Sequence, residues 1–179
     1  AIMVHSFRES FIDWLERTLP ADLQLRVGAS DGTATLESAA QEALAQVAGV
    51  ARAQFRRSRP LALPGGAASV QLIAVPIESG GVPDLTIVRS APATAGVRAW
   101  ISEAMVDLYR WQPGEHVTLP LGRGRGLAVT VAGVFRDYGR STGSVIIPRS
   151  NYVAATGDTT ANEAIFWLER GAHAATVVE

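Results

Sequence analysis

The segment Gly122-Arg123-Gly124-Arg125-Gly126 has a composition that could bind phosphate. Glycines let backbone N–H groups approach an anion, and arginines add positive charge. The spacing matches neither the dinucleotide-binding fingerprint nor the P-loop, and the segment lies between two predicted strands with no helix N-terminus behind it. The tip of a hairpin therefore explains this segment better than a phosphate site does.

A second charged feature is a run of arginines along one predicted strand. The four residues are Arg52, Arg56, Arg57 and Arg59. A basic strand edge of this kind is a candidate surface for an acidic partner or for lipid phosphate. A solvated face is the alternative interpretation, since charged side chains also prevent edge-to-edge pairing between molecules.

The residue types used in hydrolysis are present, but they form no recognisable motif. No Gly-x-Ser-x-Gly sequence accompanies a serine, and Asp137 beside Arg136 and Arg140 is more typical of a turn with local ion pairs than of a catalytic carboxylate. The absence of cysteine excludes disulfides, thiolate nucleophiles and Cys-ligated metals. We predict no catalytic residue, no metal site and no cofactor. Three histidines occur, each isolated in the sequence: His5, His116 and His173.

Length and composition are those of an ordinary globular chain. The 179 residues are 47% hydrophobic and 18% charged, which is enough apolar material for a substantial core. With 16 basic and 17 acidic residues the net charge is -1, so no overall field attracts nucleic acid, and we predict no nucleic-acid partner.

The beginning of the chain predicts an amphipathic helix that leaves a membrane span. Phe7, Phe11 and Trp14 recur at helical spacing, with charged residues on the opposite face. Residues 1–4 are apolar, like the last turn of a spanning helix, and aromatic residues often lie at the lipid interface. Two alternatives stay open: Ser6-Phe7-Arg8-Glu9 fits a capping box, and Trp14 could pack on the folded domain instead of the headgroup layer.

The elements between Pro20 and residue 90 predict an α+β sheet with its helices on one face. Alternation of apolar and polar residues indicates strands, a period near 3.6 indicates a helix, and Gly and Pro mark turns. In order, we predict a strand at 23–27, a helical stripe from Leu36 to Val47, a strand from Val50 with a turn at 64–66, a strand at 70–77 and a short strand at 85–88.

A second set of elements follows the loop at 91–96. Ser102 is placed as the N-cap of a helix reaching Trp111, with Ala104, Met105, Leu108 and Tyr109 as its buried stripe. The other predicted elements are strands at 97–101, 117–119, 127–135, 144–147 and 164–168, and helices at 151–155 and 172–179.

Five short motifs occur in order along the chain. They are the segment 6–15 with Trp14, the Trp100-Ile101-Ser102-Glu103 step into a helix, Pro113-Gly114-Glu115, the strand 131–138 with Gly133 and Asp137, and the strand 143–147 followed by Tyr152. Together they resemble the extracytoplasmic (periplasmic core) domain of an ABC transporter permease of the FtsX/MacB/LolC type. The resemblance makes Trp14, Ser102, Glu103, Gly114, Gly133 and Asp137 structural motif residues.

This resemblance implies both an architecture and a function. Residues 1–19 would leave a membrane span, 20–90 plus 160–179 would form a porter-like β-α-β-β lobe completed by the C-terminal strand and helix, and 91–159 would form a smaller mixed α/β lobe inserted in it. The domain would lie on the periplasmic side of the bacterial inner membrane and relay ATP-driven conformational change to an envelope partner or substrate, which could be a lipid, a lipoprotein, a peptide or a drug.

The implied partners are a cognate ATP-binding subunit, a second permease subunit in a dimer, and an envelope protein or lipid. The domain itself would be non-catalytic, because the ATPase resides in a separate subunit or domain. Two alternatives remain. One is a binding module whose cleft between lobes holds a peptide, lipid or small ligand. The other is a hydrolase, which would need a histidine within hydrogen-bond reach of Ser102.

Overall fold

The structure is a computed structural model that describes residues 22–28, 34–65, 69–78, 81–121, 124, 126–137, 140 and 142–172. The predicted first helix with Trp14 lies outside the described residues, as does all but the first residue of the predicted helix at 172–179. The described part contains nine strands and three helices, which confirms the α+β class. In chain order these are β1 (Leu23–Arg26), α1 (Ser38–Ala45), β2 (Val50–Leu61), β3 (Val70–Val75), β4 (Ile87–Ser90), β5 (Arg98–Ser102), α2 (Glu103–Tyr109), β6 (His116–Leu119), β7 (Leu127–Phe135), β8 (Ser144–Pro148), α3 (Arg149–Thr156) and β9 (Glu163–Leu168).

One long strand, β2, joins the pair β1–β9 to the other strands of a mixed sheet. The strand order is β1-β9-β2-β3-β8-β5-β7-β4, with β6 paired to β7. The first half of β2, residues 50–56, pairs antiparallel with β9, and its second half, residues 57–61, pairs antiparallel with β3. The pairs β3–β8 and β5–β7 are parallel, so the centre of the sheet requires crossover connections.

The core lies on both faces of the central strands. Leu72 and Ile101 belong to the larger buried cluster, which also contains Met105 of α2 and Tyr152 of α3. Their chain neighbours Ile73 and Trp100 belong to a second cluster. Because successive side chains of a strand point to opposite faces, both faces of these strands are covered, which explains their nearly continuous apolar sequence.

Two hairpins and most element types follow the sequence prediction, whereas several boundaries differ. The β2–β3 and β6–β7 hairpins are confirmed. Helix α1 begins only at Ser38, since Leu36 instead forms an antiparallel bridge with Ala161. The predicted strand at 70–77 was too long, because β3 ends before Pro76, which has no N–H to donate. The short strand predicted at 85–88 lies at Ile87–Ser90.

The predicted burial of α2 is correct at one position and wrong at another. Met105 is fully buried, but Leu108 is 58% exposed. The helix ends at Tyr109, and not at Trp111 as predicted, because Arg110 adopts a left-handed conformation with φ of 60°.

Strands from both predicted lobes belong to the same sheet. β3, from the segment 20–90, pairs with β8, from the segment 91–159, and β4 pairs with β7. The division into a lobe of 20–90 plus 160–179 and an inserted lobe of 91–159 stays a prediction. None of the described helices has the length and apolar character needed to cross a membrane.

Candidate functional site

Three of the predicted motif residues meet where β5 and β7 end and β8 begins. The buried Ser102 Oγ accepts a hydrogen bond of 2.9 Å from the backbone N–H of Ser144. The Ser144 hydroxyl donates to Asp137 Oδ2 at 2.9 Å, and that carboxylate lies 3.6 Å from the Arg140 guanidinium. Asp137 therefore has the local ion pair that the turn interpretation predicted, and the cluster joins three elements.

Glu103, the next motif residue, binds Arg136 across the same corner at 3.2 Å. This arrangement contains no imidazole at Ser102. The one described histidine, His116, has its Nδ1 2.9 Å from Thr130 Oγ1, and no hydrogen bond within the described residues joins a histidine to Ser102. The hydrogen bond between a histidine and Ser102 that a hydrolase would need is therefore absent from the described part of the chain.

The two motif glycines occupy positions that restrict side chains. Gly133 of β7 lies so close to β4 that a Cβ there would be 2.9 Å from the carbonyl oxygen of Arg89. Gly114 adopts a φ of 91° in the turn before β6, and its N–H donates to Val131 at 2.7 Å. Gly114 bonds to Val131 and Gly133 faces Arg89, both away from the hydrogen bonds of Ser102, so the five described motif residues do not converge on one site.

The four arginines of the predicted basic edge lie along β2. Arg56 and Arg57 are neighbours in β2, so their side chains point to opposite faces of the sheet. Arg56 donates to Gln54 at 2.9 Å, whereas Arg57 binds Asp158 at 3.0 Å. Strand alternation thus places consecutive arginines on opposite faces, and the four arginines as one basic edge stay a prediction.

The other two arginines are likewise separated along β2. The Arg52 guanidinium stacks 3.5 Å from the ring centroid of Trp167, and Arg59 lies opposite Leu72 in the β2–β3 pairing. A role in partner binding stays a prediction for all four arginines. The glycine-arginine segment at 122–126 is described only at Gly124 and Gly126, so its interpretation as a hairpin tip stays a prediction too.

An open groove, here called the α1–α3 groove, lies in the described part of the chain. It has a volume of about 980 Å³ and continues into a smaller depression of about 390 Å³ that shares Gln41, Phe55, Arg149 and Val153. The main part is lined by Gln41, Arg52, Ala53, Gln54, Phe55, Pro76, Ile77, Glu78, Arg149, Ser150, Val153 and Ala154. These residues come from both predicted lobes, 20–90 and 91–159.

The groove exists because β3 leaves β2 early. Pairing between them ends at Arg57 and Ala74, and Pro76 prevents its continuation. Residues 50–56 of β2 then pair only with β9 among the described strands. The amide of Gln54 spans the opening and donates to the Pro76 carbonyl at 3.3 Å. The sequence predicted a cleft between lobes only as an alternative and named none of its lining residues, although Pro76 within the predicted strand at 70–77 was a usable signal.

One end of the groove is polar, and its two polar side chains, Gln41 and Arg149, donate hydrogen bonds to neutral oxygens. Gln41 donates to Leu36 and Thr159 carbonyls at 2.8 and 3.0 Å. Arg149 donates to Gln41 Oε1 at 3.1 Å and to the carbonyls of Thr159 and Thr160 at 2.7 and 3.2 Å. Burial lowers the pKa of Arg149, and the nearby Asp158 and Tyr152 partly oppose that effect.

A second polar cluster, the Asp158 cluster, fixes the loop behind this end. The Asp158 carboxylate accepts hydrogen bonds from Tyr152 at 2.7 Å, from the Thr160 hydroxyl at 2.6 Å and from Arg57 at 3.0 Å. Burial alone would raise the pKa of Asp158, but these hydrogen bonds and one from the Thr160 N–H outweigh it and hold the pKa well below its usual value. Among the described residues no group of three His, Asp or Glu side chains could hold a metal ion.

Solved structures share this fold over most of its length. The extracellular domain of the noncanonic ABC-type transporter YknZ from Gram-positive bacteria superposes with a TM-score of 0.57 and 14% identity, covering 87% of this chain and 85% of that domain. The periplasmic region of MacB from Actinobacillus actinomycetemcomitans superposes with a TM-score of 0.57 and 11% identity, covering 90% and 82%. No protein-family model and no curated protein matches the sequence. The predicted resemblance is thus confirmed at the level of the fold.

Proposed function

We propose that this chain is the non-catalytic extracytoplasmic domain of an ABC transporter permease. The shared fold with the YknZ and MacB domains carries the proposal, since it covers 87% and 90% of this chain and 85% and 82% of those domains. A match of nearly the whole domain on both sides is more specific than a shared supersecondary motif, although a fold alone does not imply a function.

On this proposal the domain lies on the periplasmic side of a bacterial inner membrane. A cognate ATP-binding subunit or domain supplies ATP hydrolysis, and a second permease subunit completes a dimer. The domain contacts an envelope protein or the exported substrate, whose class could be lipid, lipoprotein, peptide or drug. This assignment uses none of the described residues as a catalyst.

The proposed action is mechanical. Movement of the membrane spans on ATP binding would pass through the predicted helix from Phe7 to Leu19 into the domain, as a hinge or shear change. The continuous sheet supports this action, because β2 pairs with β9 through one half and with β3 through the other. A domain whose strands are hydrogen-bonded in this way would move as a rigid unit and transmit a displacement.

Insertion of two glycines after Leu15 in the complete transporter tests this mechanism. The chain has no cysteine, so Leu108→Cys, at a position 58% exposed, can carry a spin label in each permease subunit of an otherwise cysteine-free transporter. We expect ATP to change the distance between labels in the parent. In the insertion variant, ATP hydrolysis should continue while the distance change is lost, because glycines remove helical stiffness.

A matched control places the same two glycines after Ala93, in an exposed loop. That variant should keep both ATP hydrolysis and the distance change. The mechanical proposal is wrong if the variant at Leu15 keeps the full distance change, or if ATP never alters the distance in the parent.

A binding module without a mechanical role is the second candidate. The α1–α3 groove favours it, because its volume of about 980 Å³ is within the range of ligand sites and polar groups converge at one end. Labels that do not move with ATP, together with a ligand that occupies the groove, would support this second function instead.

A further inference from the structure

We propose that the α1–α3 groove binds an extended, acidic peptide segment, which adds as a strand to the free edge of β2. This inference does not depend on the transporter assignment, because it rests on the edge, the walls and the charge of the groove.

The first support is the backbone edge. Residues 50–56 of β2 have a ladder partner on one side, β9, and on the other side Ala53, Gln54 and Phe55 line the groove. An interior strand normally uses hydrogen-bonding groups on both sides, but no described strand pairs with residues 50–56 on the groove side, where only the Gln54 side chain crosses to the Pro76 carbonyl. An incoming extended segment can satisfy these groups, as in β-strand addition to an exposed sheet edge.

The second support is the apolar part of the groove lining. Val153 and Ala154 of α3 face the groove together with Ile77. Phe55 also lines the groove, and its ring makes an edge-to-face contact with Phe166, with centroids 6.1 Å apart, which restricts the ring. Alternate side chains of an added strand would point toward this apolar surface, so the bound segment should carry apolar residues at every second position.

The third support is charge. The Arg149 guanidinium is half buried at the polar end of the groove, and its three hydrogen-bond acceptors are all neutral oxygens. Arg52 also belongs to the lining. Arg52 and the acidic residues Glu78 and Glu42 are all exposed, so solvent and salt screen their charges more strongly than the charge of the partly buried Arg149. A carboxylate near Arg149 would gain a charge-assisted hydrogen bond in a partly desolvated setting.

A fluorescent peptide provides the direct probe. The peptide has eight residues, alternates valine with threonine and carries one central glutamate. Its binding to the 179-residue chain is followed by fluorescence anisotropy, and backbone amide shifts are recorded by NMR. We expect saturable binding with shifts concentrated at Ala53, Gln54 and Phe55.

Two altered peptides separate the charge from the strand. Replacement of the glutamate by glutamine should weaken binding about tenfold, the loss expected for one partly exposed charge-assisted hydrogen bond. Replacement of a central valine by proline should weaken it by at least about tenfold, because proline cannot donate to the ladder.

Matched variants of the chain locate the site. Ala154→Glu adds bulk and negative charge inside the groove, whereas Ala39→Glu makes the same change on an exposed face of α1 outside the lining. Both positions are exposed, so both variants should fold, which thermal melting checks. We expect A154E to lose peptide binding and A39E to retain it.

Several outcomes would overturn the proposal. These are no binding of the acidic peptide at millimolar concentration, equal binding of the proline peptide, or shifts that leave residues 52–55 unaffected. Vesicles containing phosphatidylglycerol serve as a second probe. If they bind in an Ala154-dependent manner while the peptide does not, the groove is a lipid site and the peptide proposal is wrong.

Discussion

Asp158 shows at the residue scale how one carboxylate connects separate elements. It accepts hydrogen bonds from Arg57 of β2, from Tyr152 of α3 and from Thr160 in the loop before β9. Because hydrogen bonds to an ionised acceptor are stronger than neutral ones, the loop that carries the Thr159 and Thr160 carbonyls is held firmly. Those carbonyls in turn fix Arg149, so the Asp158 cluster positions the polar end of the α1–α3 groove.

Replacement of Asp158 by asparagine should lower the free energy of unfolding at pH 7 by about 1–3 kcal/mol, the range for losing hydrogen bonds to a charged group. The folded-state pKa of Asp158 is lowered. Its stabilisation is therefore complete above the unfolded-state pKa of about 4 and is lost as pH falls through the folded-state pKa. Urea unfolding should show a constant difference between wild type and D158N from pH 5 to 8 and a shrinking one below about pH 4.

A matched control for this prediction is Asp107→Asn, on the exposed surface of α2. This change should alter the free energy of unfolding by less than about 0.5 kcal/mol at any of these pH values. A difference for D158N that grows as the pH falls would contradict the assignment of Asp158 as an ionised acceptor.

Ser102 illustrates which residue-scale features can be predicted from sequence. Its position as the N-cap of α2 is confirmed, because a serine before an amphipathic stretch is a local signal. Its hydroxyl, however, does not cap the helix and accepts the N–H of Ser144, which is 42 residues away. A local pattern contains no information about so distant a partner, which only the β5–β8 pairing brings near.

At the scale of elements, α2 shows the limit of periodicity. The spacing of Met105 and Leu108 placed both on one helical stripe, yet Met105 is fully buried and Leu108 is 58% exposed. Periodicity indicates which residues share a face but not how far along the helix that face is covered. The same limit applies to β2, whose alternation was evident while its change of partner after Arg56 was not.

Alanine at these two positions should therefore have very different effects. Met105→Ala should reduce the free energy of unfolding by about 2–5 kcal/mol, because it leaves a cavity in the core. Leu108→Ala should change it by less than about 0.5 kcal/mol, since little apolar surface is lost. Urea unfolding of both variants measures the contrast. Equal losses would show that the last turn of α2 is covered in solution.

At the scale of the whole molecule, the sheet joins the segments that were predicted as two lobes. Besides the β3–β8 pairing, β4 of the first segment pairs with β7 of the second, and Arg57 binds Asp158 at 3.0 Å. The connection is therefore made by the interior of a sheet and not by a flexible linker. Separate lobes joined by a linker would instead be expected to move relative to each other.

This continuity predicts cooperative unfolding of the two segments. Trp100 lies in the central strand β5, and Trp167 lies in β9 near the other end of the sheet. Two variants, each retaining one of these tryptophans with the other three replaced by phenylalanine, report on the two regions separately through fluorescence. Within each variant, urea unfolding followed by fluorescence and by circular dichroism should give the same midpoint, because a small cooperative unit unfolds without populated intermediates.

Comparing the two probes within each variant removes the effect of the substitutions on stability. Residues 50–56 of β2 pair with β9 and residues 57–61 pair with β3. Because these two halves are one strand, loss of the β9 pairing would also weaken the pairing with β3. Coincident transitions in both variants would therefore mean that the strands from β9 to β5 unfold as one cooperative unit, as the proposed relay requires. If the Trp167 signal changed at a lower urea concentration than the circular dichroism, the segments would be independent units and the proposed relay would need a different route.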